Sequence, residues 1–597
     1  MILHRVCTKI TGFYTYMLGI AVVKINIINI SEEIRKNNWM ISFALYASVV
    51  VVYKRNGIIS QNVLYSVNIF TFVYHDKVKH TIMAVIYPIG IQNFEKLRKD
   101  GYLYIDKTAF VHELATTGSY YFLSRPRRFG KSLLISTLEA YFEGKKELFE
   151  GLALENLEKD WIKHPILHID LNTEKYNTPE SLERILNFTL LKWEKLYGTG
   201  AGETSVALRF RGIVERAVEQ TGQRVVILID EYDKPMLQAI GNEELQAAYR
   251  STLKSFYSVM KTMDKYIRFA FLTGVTKFGK VSVFSDLNNL QDISMDKRYV
   301  DVCGISEKEI HDYLEPQLHE LAKANKQTYE EICQRLELNY DGYHFVENSI
   351  GIYNPFSLLN TFKTLKFGSY WFETGTPTYL VELLKRAEYD LSEIGREEID
   401  ADVLNSIDIA SYNPIPVIYQ SGYLTIKGYD EEFGMYTLGF PNKEVEEGFM
   451  RYLLPFYTTV KEGETAFQLK NFVTDLRKGN PEGFLRRLQT FFYGVPYELT
   501  GGVERYYQNV LFIVCRLMGL YVQAEYHTSY GRADMILQTK DYIYIFEFKL
   551  DGSVEEALQQ IESQGYARPF EMDRRKLVKI GVNFDSRTRS MDKWKIS

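Results

Sequence analysis

Apolar residues along this chain fall into two kinds of pattern. "YYFLS" (Tyr120 to Ser124), "VVILI" (Val225 to Ile229) and "IRFAFLTGV" (Ile267 to Val275) are short runs with almost no polar break. Such runs are expected of strands covered on both faces in a parallel sheet. Helical spacing takes over after the first run. Leu134, Leu138, Tyr141 and Phe142 stand at i, i+4, i+7 and i+8, and Gly144 follows as a stop signal. Residues 301–442 alternate helical patterns with Tyr- and Gly-rich turns, and Tyr419 to Asn442 predicts two strands joined by an acidic, Gly-bearing turn. A hairpin after short helices is the outline of a winged helix. Residues 443–490 are helical in pattern, Glu504 to Leu520 is an apolar helix, and "YIYIFEFKL" (Tyr542 to Leu550) alternates as a strand.

At 597 residues the chain exceeds one core, and three or four domains of roughly 150 residues are expected. The pattern divides into a first segment 1–82, a strand-and-helix domain 83–300, a helical lid 301–442, a helical linker 443–490 and a last domain 491–597. The first segment lacks clear periodicity. Its uncharged run "WMISFALYASVVVVY" (Trp39 to Tyr53) is 15 residues long, short of the about 20 that span a bilayer, so a membrane partner is expected only if this segment is a genuine part of the protein. The net charge of −5 excludes a generally basic nucleic-acid coat but leaves room for a local basic groove. Four scattered cysteines form no C-x-x-C pair, which fits a reducing, cytoplasmic compartment and gives no zinc site.

Two constellations carry chemistry. "FLSRPRRFGKS" (Phe122 to Ser132) ends like the phosphate-binding pattern G-x-x-x-x-G-K-[ST], but Arg125 stands where the first glycine would ease the turn. Gly130, Lys131 and Ser132 lie where a strand turns into a helix, so loop amides and the helix N-terminus face an anion. Lys131 can reach the β and γ phosphates, Ser132 can ligand magnesium, and Arg127 and Arg128 add positive charge. A basic surface loop before a helix is the plainer alternative. "RVVILIDEYDKP" favours the nucleotide site, because its apolar run ends in Asp230 and Glu231 at the strand edge where open α/β sheets place ligands. Asp230 would hold magnesium through water, and Glu231 would orient or deprotonate the attacking water. Thr273, at the end of the third run, is a candidate sensor of the γ-phosphate. No arginine finger is legible, Arg298 being only a guess.

The second constellation is D-x12-E-x-K: Asp534, then Glu547 and Lys549 two apart on one face of a strand, with Phe548 on the other. Asp534, Glu547 and the Phe548 carbonyl can coordinate magnesium, which activates water and stabilises a pentacovalent phosphate. Lys549 would orient the water, Glu504 on the preceding helix would assist, and Gln560 on the following helix would face the same pocket. E-x-K alone is a weak signal, and a surface Glu/Lys pair on an amphipathic hairpin is the bland alternative.

"YPIGIQNFEKLRKDGYLYIDKT" (Tyr87 to Thr108), "FLSRPRRFGKS", "VVILIDEYDKP" and "LTGVTKFGKVSVFSDLNNLQDIS" (Leu272 to Ser294) together resemble the AAA-ATPase-like family of the Bacteroidetes and Firmicutes type. The C-terminal constellation resembles the PD-(D/E)XK nuclease superfamily, in the subgroup fused behind that ATPase family. The resemblance implies an α/β fold: a P-loop NTPase parallel-sheet domain, a winged-helix-like lid and an α/β restriction-endonuclease-like domain. It implies ATP and Mg2+ as cofactors, a phosphodiester substrate with DNA as the nucleic-acid partner, and R-P-R-R-F-G-K-S as a working family variant of the loop. Homo-oligomers occur among such ATPases, and nothing legible selects a ring. Because the family begins near Tyr87, Met83 is the expected natural start. Two functions follow: a magnesium-dependent nuclease gated by nucleotide, or a signalling switch whose nuclease-like domain binds nucleic acid without cutting it.

Overall fold

The computed structural model describes residues 85–277, 289–372, 378–405, 413–458, 460–492, 503–519, 523–526, 533–588 and 590–597. The expectations about residues 1–82 and Met83 lie outside them, as do 278–288 of the quoted Leu272 to Ser294 stretch.

Five parallel strands form the first sheet: β1 (Tyr120–Ser124), β2 (Ile166–Asp170), β3 (Val225–Asp230), β4 (Ile267–Gly274) and β5 (Gln291–Asp292), in the order β2-β3-β4-β1-β5. β1 and β3 are buried at every position, as unbroken apolar runs require. Helix α1 (Lys131–Phe142) follows β1 directly. Three long amphipathic helices pack on one another, α2 (Pro179–Tyr197), α3 (Val206–Thr221) and α4 (Glu243–Thr262), with α3 against β3. Their ends follow local chemistry. Ser205 Oγ accepts from Leu208 N to start α3, and Gly222, at φ 67, ends it.

The next region has its own core of Ile310, Leu314, Leu318, Ile332, Leu336 and Phe362 under three helices, Glu307–Asn325, Tyr329–Tyr340 and Pro355–Thr364. Capping boxes at Ser306/Glu309 and Thr328/Glu331 begin the first two. A short ladder, β6 (Ile305–Ser306) with β7 (Ile352–Tyr353), ties them together. An antiparallel sheet of β8 (Glu398–Asp400), β9 (Thr425–Asp430) and β10 (Met435–Gly439) runs in the order β8-β10-β9. The hairpin read from Tyr419 is therefore too long. Tyr419 and Gln420 close the helix Ile415–Gln420, which carries a proline in its first turn. Gly422, at φ 89, then turns the chain toward β9. The alternating polar and aromatic residues of "YQSGYL" resemble a strand, but the chain turns before it becomes one.

Helix α5 (Lys443–Tyr457) precedes two further helices, Thr465–Arg477 and Pro481–Phe492, and packs against α6 (Val503–Met518). The last sheet comprises β11 (Gln523–Tyr526), β12 (Met535–Gln538), β13 (Tyr542–Leu550), β14 (Lys576–Asp585) and β15 (Ser590–Ile596), in sequential order. Only its β13–β14 pair is parallel, and α7 (Val554–Ser563) makes the crossover that parallel pairing requires. Tyr544 OH donates to the Leu476 carbonyl at 2.7 Å, fastening this sheet to the preceding helices. Among the described residues no helix is long and apolar enough to cross a membrane.

Candidate active sites

The loop between β1 and α1 is shaped by residues other than those the pattern suggests. Arg125 shows no left-handed backbone; positive φ falls at Arg128 (66°) and Gly130 (99°). Glycine is therefore needed less at 125 than the motif implies, and the arginine found there is structural. Its side chain is 1 % exposed and its guanidinium donates to the carbonyls of Ser124, Ser294 and Tyr299 at 2.8–3.0 Å. It also lies 4.0 Å from the centre of the Phe345 ring. Burial lowers its pKa to about 10, still charged at neutral pH.

Lys131 is 4 % exposed and its Nζ donates to the carbonyls of Arg125 (3.0 Å) and Pro126 (3.1 Å) across the loop. Glu231 Oε1 lies 3.9 Å from the same ammonium. A Cβ built on Gly130 would meet nothing within 4 Å, so the space before it is open. Ser132 follows half-buried in the first turn of α1, and Arg127 and Arg128 are exposed at the rim.

Inserting β4 between β1 and β3 brings the acidic edge to this loop. Leu123 is level with Thr273, and Ile229 with Leu272, so Asp230 and Thr273 end side by side. The Thr273 hydroxyl donates to Asp230 Oδ1 at 2.5 Å. Glu231 holds a left-handed backbone (φ 54), uncommon for glutamate. What holds it there is a residue the sequence reading passed over. Asp233, fully buried, accepts at Oδ2 from Val275 N, Thr276 N and Thr276 Oγ1 at 2.5–3.0 Å. Tyr232 N adds a bond to the Thr273 carbonyl. The turn after β3 is thereby clipped to the end of β4. Burial, and then the charge of Glu231, raise the Asp233 pKa to about 6. Only the string "DEYDK" hinted at this; its partners lie on another strand. Arg298 is exposed and paired with Asp296 at 2.6 Å. The lysine, the hydroxyl, the open glycine and the paired Asp230 suit a triphosphate with a hard cation.

The second cluster is assembled by the β12–β13–α7 unit. Asp534 stands just before β12, and its Oδ2 accepts from Phe548 N at 2.8 Å. Glu547, 1 % exposed, accepts at Oε1 from Lys549 Nζ at 3.0 Å. Lys549 also donates to Gln560 Oε1 at 2.5 Å, and Gln560 Nε2 reaches the Tyr566 hydroxyl at 3.3 Å. Glu547 is level with Gly581 on β14, where an added Cβ would strike the Val554 carbonyl at 2.6 Å. Helix α7 therefore lies hard against the face that carries Glu547 and Lys549. Burial, and then the Glu547 charge, push Asp534 up to about 7; burial likewise raises Glu547. Glu547 Oε2 is buried without a hydrogen-bond partner among the described residues. A buried and a half-buried carboxylate, the buried one with an unsatisfied oxygen, fit a divalent cation, whose charge would offset the cost of both. No third acidic, histidine or cysteine ligand joins them among the described residues. The remaining positions would fall to the Phe548 carbonyl and water.

Glu504 does not join this cluster by any bond among the described residues. It is exposed in the first turn of α6. That helix packs on the opposite face of the sheet, where Tyr507 stacks on Phe584 at 4.3 Å and Phe584 meets Phe548 at 5.9 Å.

A parallel-sheet NTPase domain joined to an acidic, lysine-bearing mixed sheet defines the class. A family model described as "Predicted AAA-ATPase" matches residues 88–284, and one described as "PD-(D/E)XK nuclease superfamily" matches residues 502–594. An uncharacterized protein in the vnfD 5' region of Azotobacter chroococcum mcd 1 is 36% identical over 517 residues, covering 84% of this chain and 97% of that protein. The chain belongs to the family of that protein, an AAA-ATPase-like domain with a C-terminal PD-(D/E)XK nuclease superfamily domain. A solved structure, the Aeropyrum pernix ORC2 protein in ADPNP-ADP complexes, aligns with 56% of this chain and 88% of its own at 12% identity; its TM-score of 0.22 is too low to carry an argument.

Proposed function

We propose that the protein is a magnesium-dependent nuclease acting on DNA, with ATP bound by its first domain gating the cut. The observation that carries this is the Lys549 ammonium held between Glu547 and Gln560, beside Asp534. Magnesium bound by Asp534 and Glu547 would supply Lewis-acid stabilisation of charge on the phosphodiester. Lys549, fixed by Gln560, orients the attacking water and offsets developing negative charge. In the first domain Lys131, Arg127, Arg128 and the Gly130 amide bind the phosphates. Ser132 and Asp230 would hold magnesium there, Glu231 would orient water, and Thr273 would sense the γ-phosphate through Asp230.

Contacts that run through the lid support the gating reading. Lys277, just past the end of β4, donates its backbone N–H to Gln420 Oε1 at 2.6 Å. Farther on, α6 of the nuclease region is bonded to the lid. Leu391 N donates to Asn509 Oδ1 at 2.9 Å, and Asn509 Nδ2 to the Tyr389 carbonyl at 3.0 Å. Arg516 pairs with Glu446 of α5 at 3.3 Å.

The test incubates purified protein with single- and double-stranded DNA and RNA, with and without magnesium and ATP. Magnesium-dependent cutting of DNA that changes with ATP is expected. Binding of nucleic acid with no cutting under any condition would support the signalling-switch reading instead.

A further inference from the structure

The phosphate loop lacks the usual first glycine, yet its peptides are set by donors from outside it. Trp371 Nε1 donates to the Arg127 carbonyl at 3.1 Å, and the Gly304 N–H to the Phe129 carbonyl at 2.9 Å. No peptide among the described residues is cis, and a trans peptide carries its C=O and the next N–H on opposite sides. Turning these two carbonyls outward therefore turns the Arg128 and Gly130 amides toward the interior of the loop, beside Lys131. Both residues have left-handed backbone, φ 66 and 99, and amides turned inward from such a backbone make a concavity suited to an anion. Left-handed backbone is unfavourable for arginine. Arg128 is kept there by the Trp371 bond on the preceding peptide and by its guanidinium lying 5.1 Å from the centre of the Phe356 ring. Trp371 is itself immobilised: its ring packs against Phe372 (5.3 Å) and Tyr423 (5.1 Å), and its backbone N–H donates to Glu444 Oε1 of α5 at 2.8 Å.

We propose that Trp371 is a positioning residue of the nucleotide site, lent by the lid. Its indole N–H holds the Arg127–Arg128 peptide with the amide presented to a polyphosphate, the task that a glycine-rich loop performs by itself. This rests on the reading of the loop as a nucleoside triphosphate site. It makes polyphosphate affinity a property of the docked lid and the first domain together.

The test titrates the full chain with ATP, ADP and inorganic tripolyphosphate by calorimetry. Trp371→Phe keeps a ring in the Phe372–Tyr423 cluster and removes the donor; Leu318→Ala hollows the separate core of Ile310, Leu314 and Leu336 and leaves the donor and its cluster in place. Trp371→Phe is expected to raise the Kd for ATP and tripolyphosphate about 5- to 10-fold, the worth of one hydrogen bond. Leu318→Ala is expected to leave both within about twofold, even where it lowers the melting temperature more. Equal affinity in wild type and Trp371→Phe would overturn the inference while leaving the nucleotide site intact, and so would a loss in Leu318→Ala as large as in Trp371→Phe. Failure of the wild type to bind any of the three would overturn the nucleotide reading and the inference with it.

Discussion

Thr273 Oγ1 and Asp230 Oδ1 lie 2.5 Å apart across β3 and β4, with the hydroxyl donating to the carboxylate. The bond links the strand that ends in the acidic edge to the one clipped by Asp233, so the position of Asp230 depends on a neighbour that touches no phosphate itself. Thr273→Val keeps the shape and removes the donor. It is expected to slow ATP hydrolysis about tenfold, the worth of one positioned hydrogen bond, and to leave the ATP Kd within about threefold. Thr273→Ser should retain most of the rate. Phosphate release and equilibrium titration measure the two quantities.

Glu547 is a residue kept at a cost to stability. It is 1 % exposed with one carboxylate oxygen unpartnered among the described residues. Glu547→Gln is expected to stabilise the metal-free protein by roughly 1–2 kcal/mol, because a buried charge is removed at nearly constant volume. It should also abolish the rise in melting temperature that manganese or magnesium gives the wild type. Thermal melts in chelator and in each metal check both.

Helix α7 approaches β14 so closely at Gly581 that a methyl group there meets the Val554 carbonyl at 2.6 Å and the Ala557 methyl at 3.1 Å. Gly581→Ala should destabilise the C-terminal domain by about 1–3 kcal/mol. Since Gln560 on that helix holds Lys549, cleavage should fall more than stability alone accounts for. Denaturant unfolding monitored beside cleavage rate separates the two effects.

Asp341 gives a pH dependence of folding that lies away from both sites. Burial, with a smaller push from Glu307 and Glu337 against the pull of the Gly342 N–H and Lys427, raises its pKa from 3.8 to about 6. The folded state therefore binds the proton more tightly than the unfolded chain. The stability this group contributes is present below pH 4 and is lost as pH rises through 6. Asp341→Asn should be more stable than wild type by roughly 3 kcal/mol at pH 7.5 and by roughly 1 kcal/mol at pH 4.5. Urea unfolding at the two pH values tests this; an equal difference at both would contradict it.

Residues whose roles are local were legible in the sequence, and those whose partners are remote were not. Val225 to Ile229 declares a buried strand by itself, so the placement of Asp230 and Glu231 at its end needed no further information. Glu547 and Lys549 are two apart on a strand, so their shared face followed from the pleat. The structural role of Arg125 was not legible, because Ser294, Tyr299 and Phe345, which surround it, come from far along the chain. Trp371 and Asp233 were passed over for the same reason. The hairpin was begun too early, at Tyr419, because the last two residues of the helix Ile415–Gln420 and the turn after it alternate too briefly to be told from a strand.

The central claim is that two separate phosphate-handling sites in one chain are coupled. The most direct measurement follows magnesium-dependent DNA cleavage by wild type, Lys131→Ala and Lys549→Ala across a titration of ATP. Cleavage that responds to ATP in wild type, persists without that response in Lys131→Ala, and disappears in Lys549→Ala with ATP binding retained is the predicted result. Undiminished cleavage by Lys549→Ala, or an unchanged ATP response in Lys131→Ala, would contradict it.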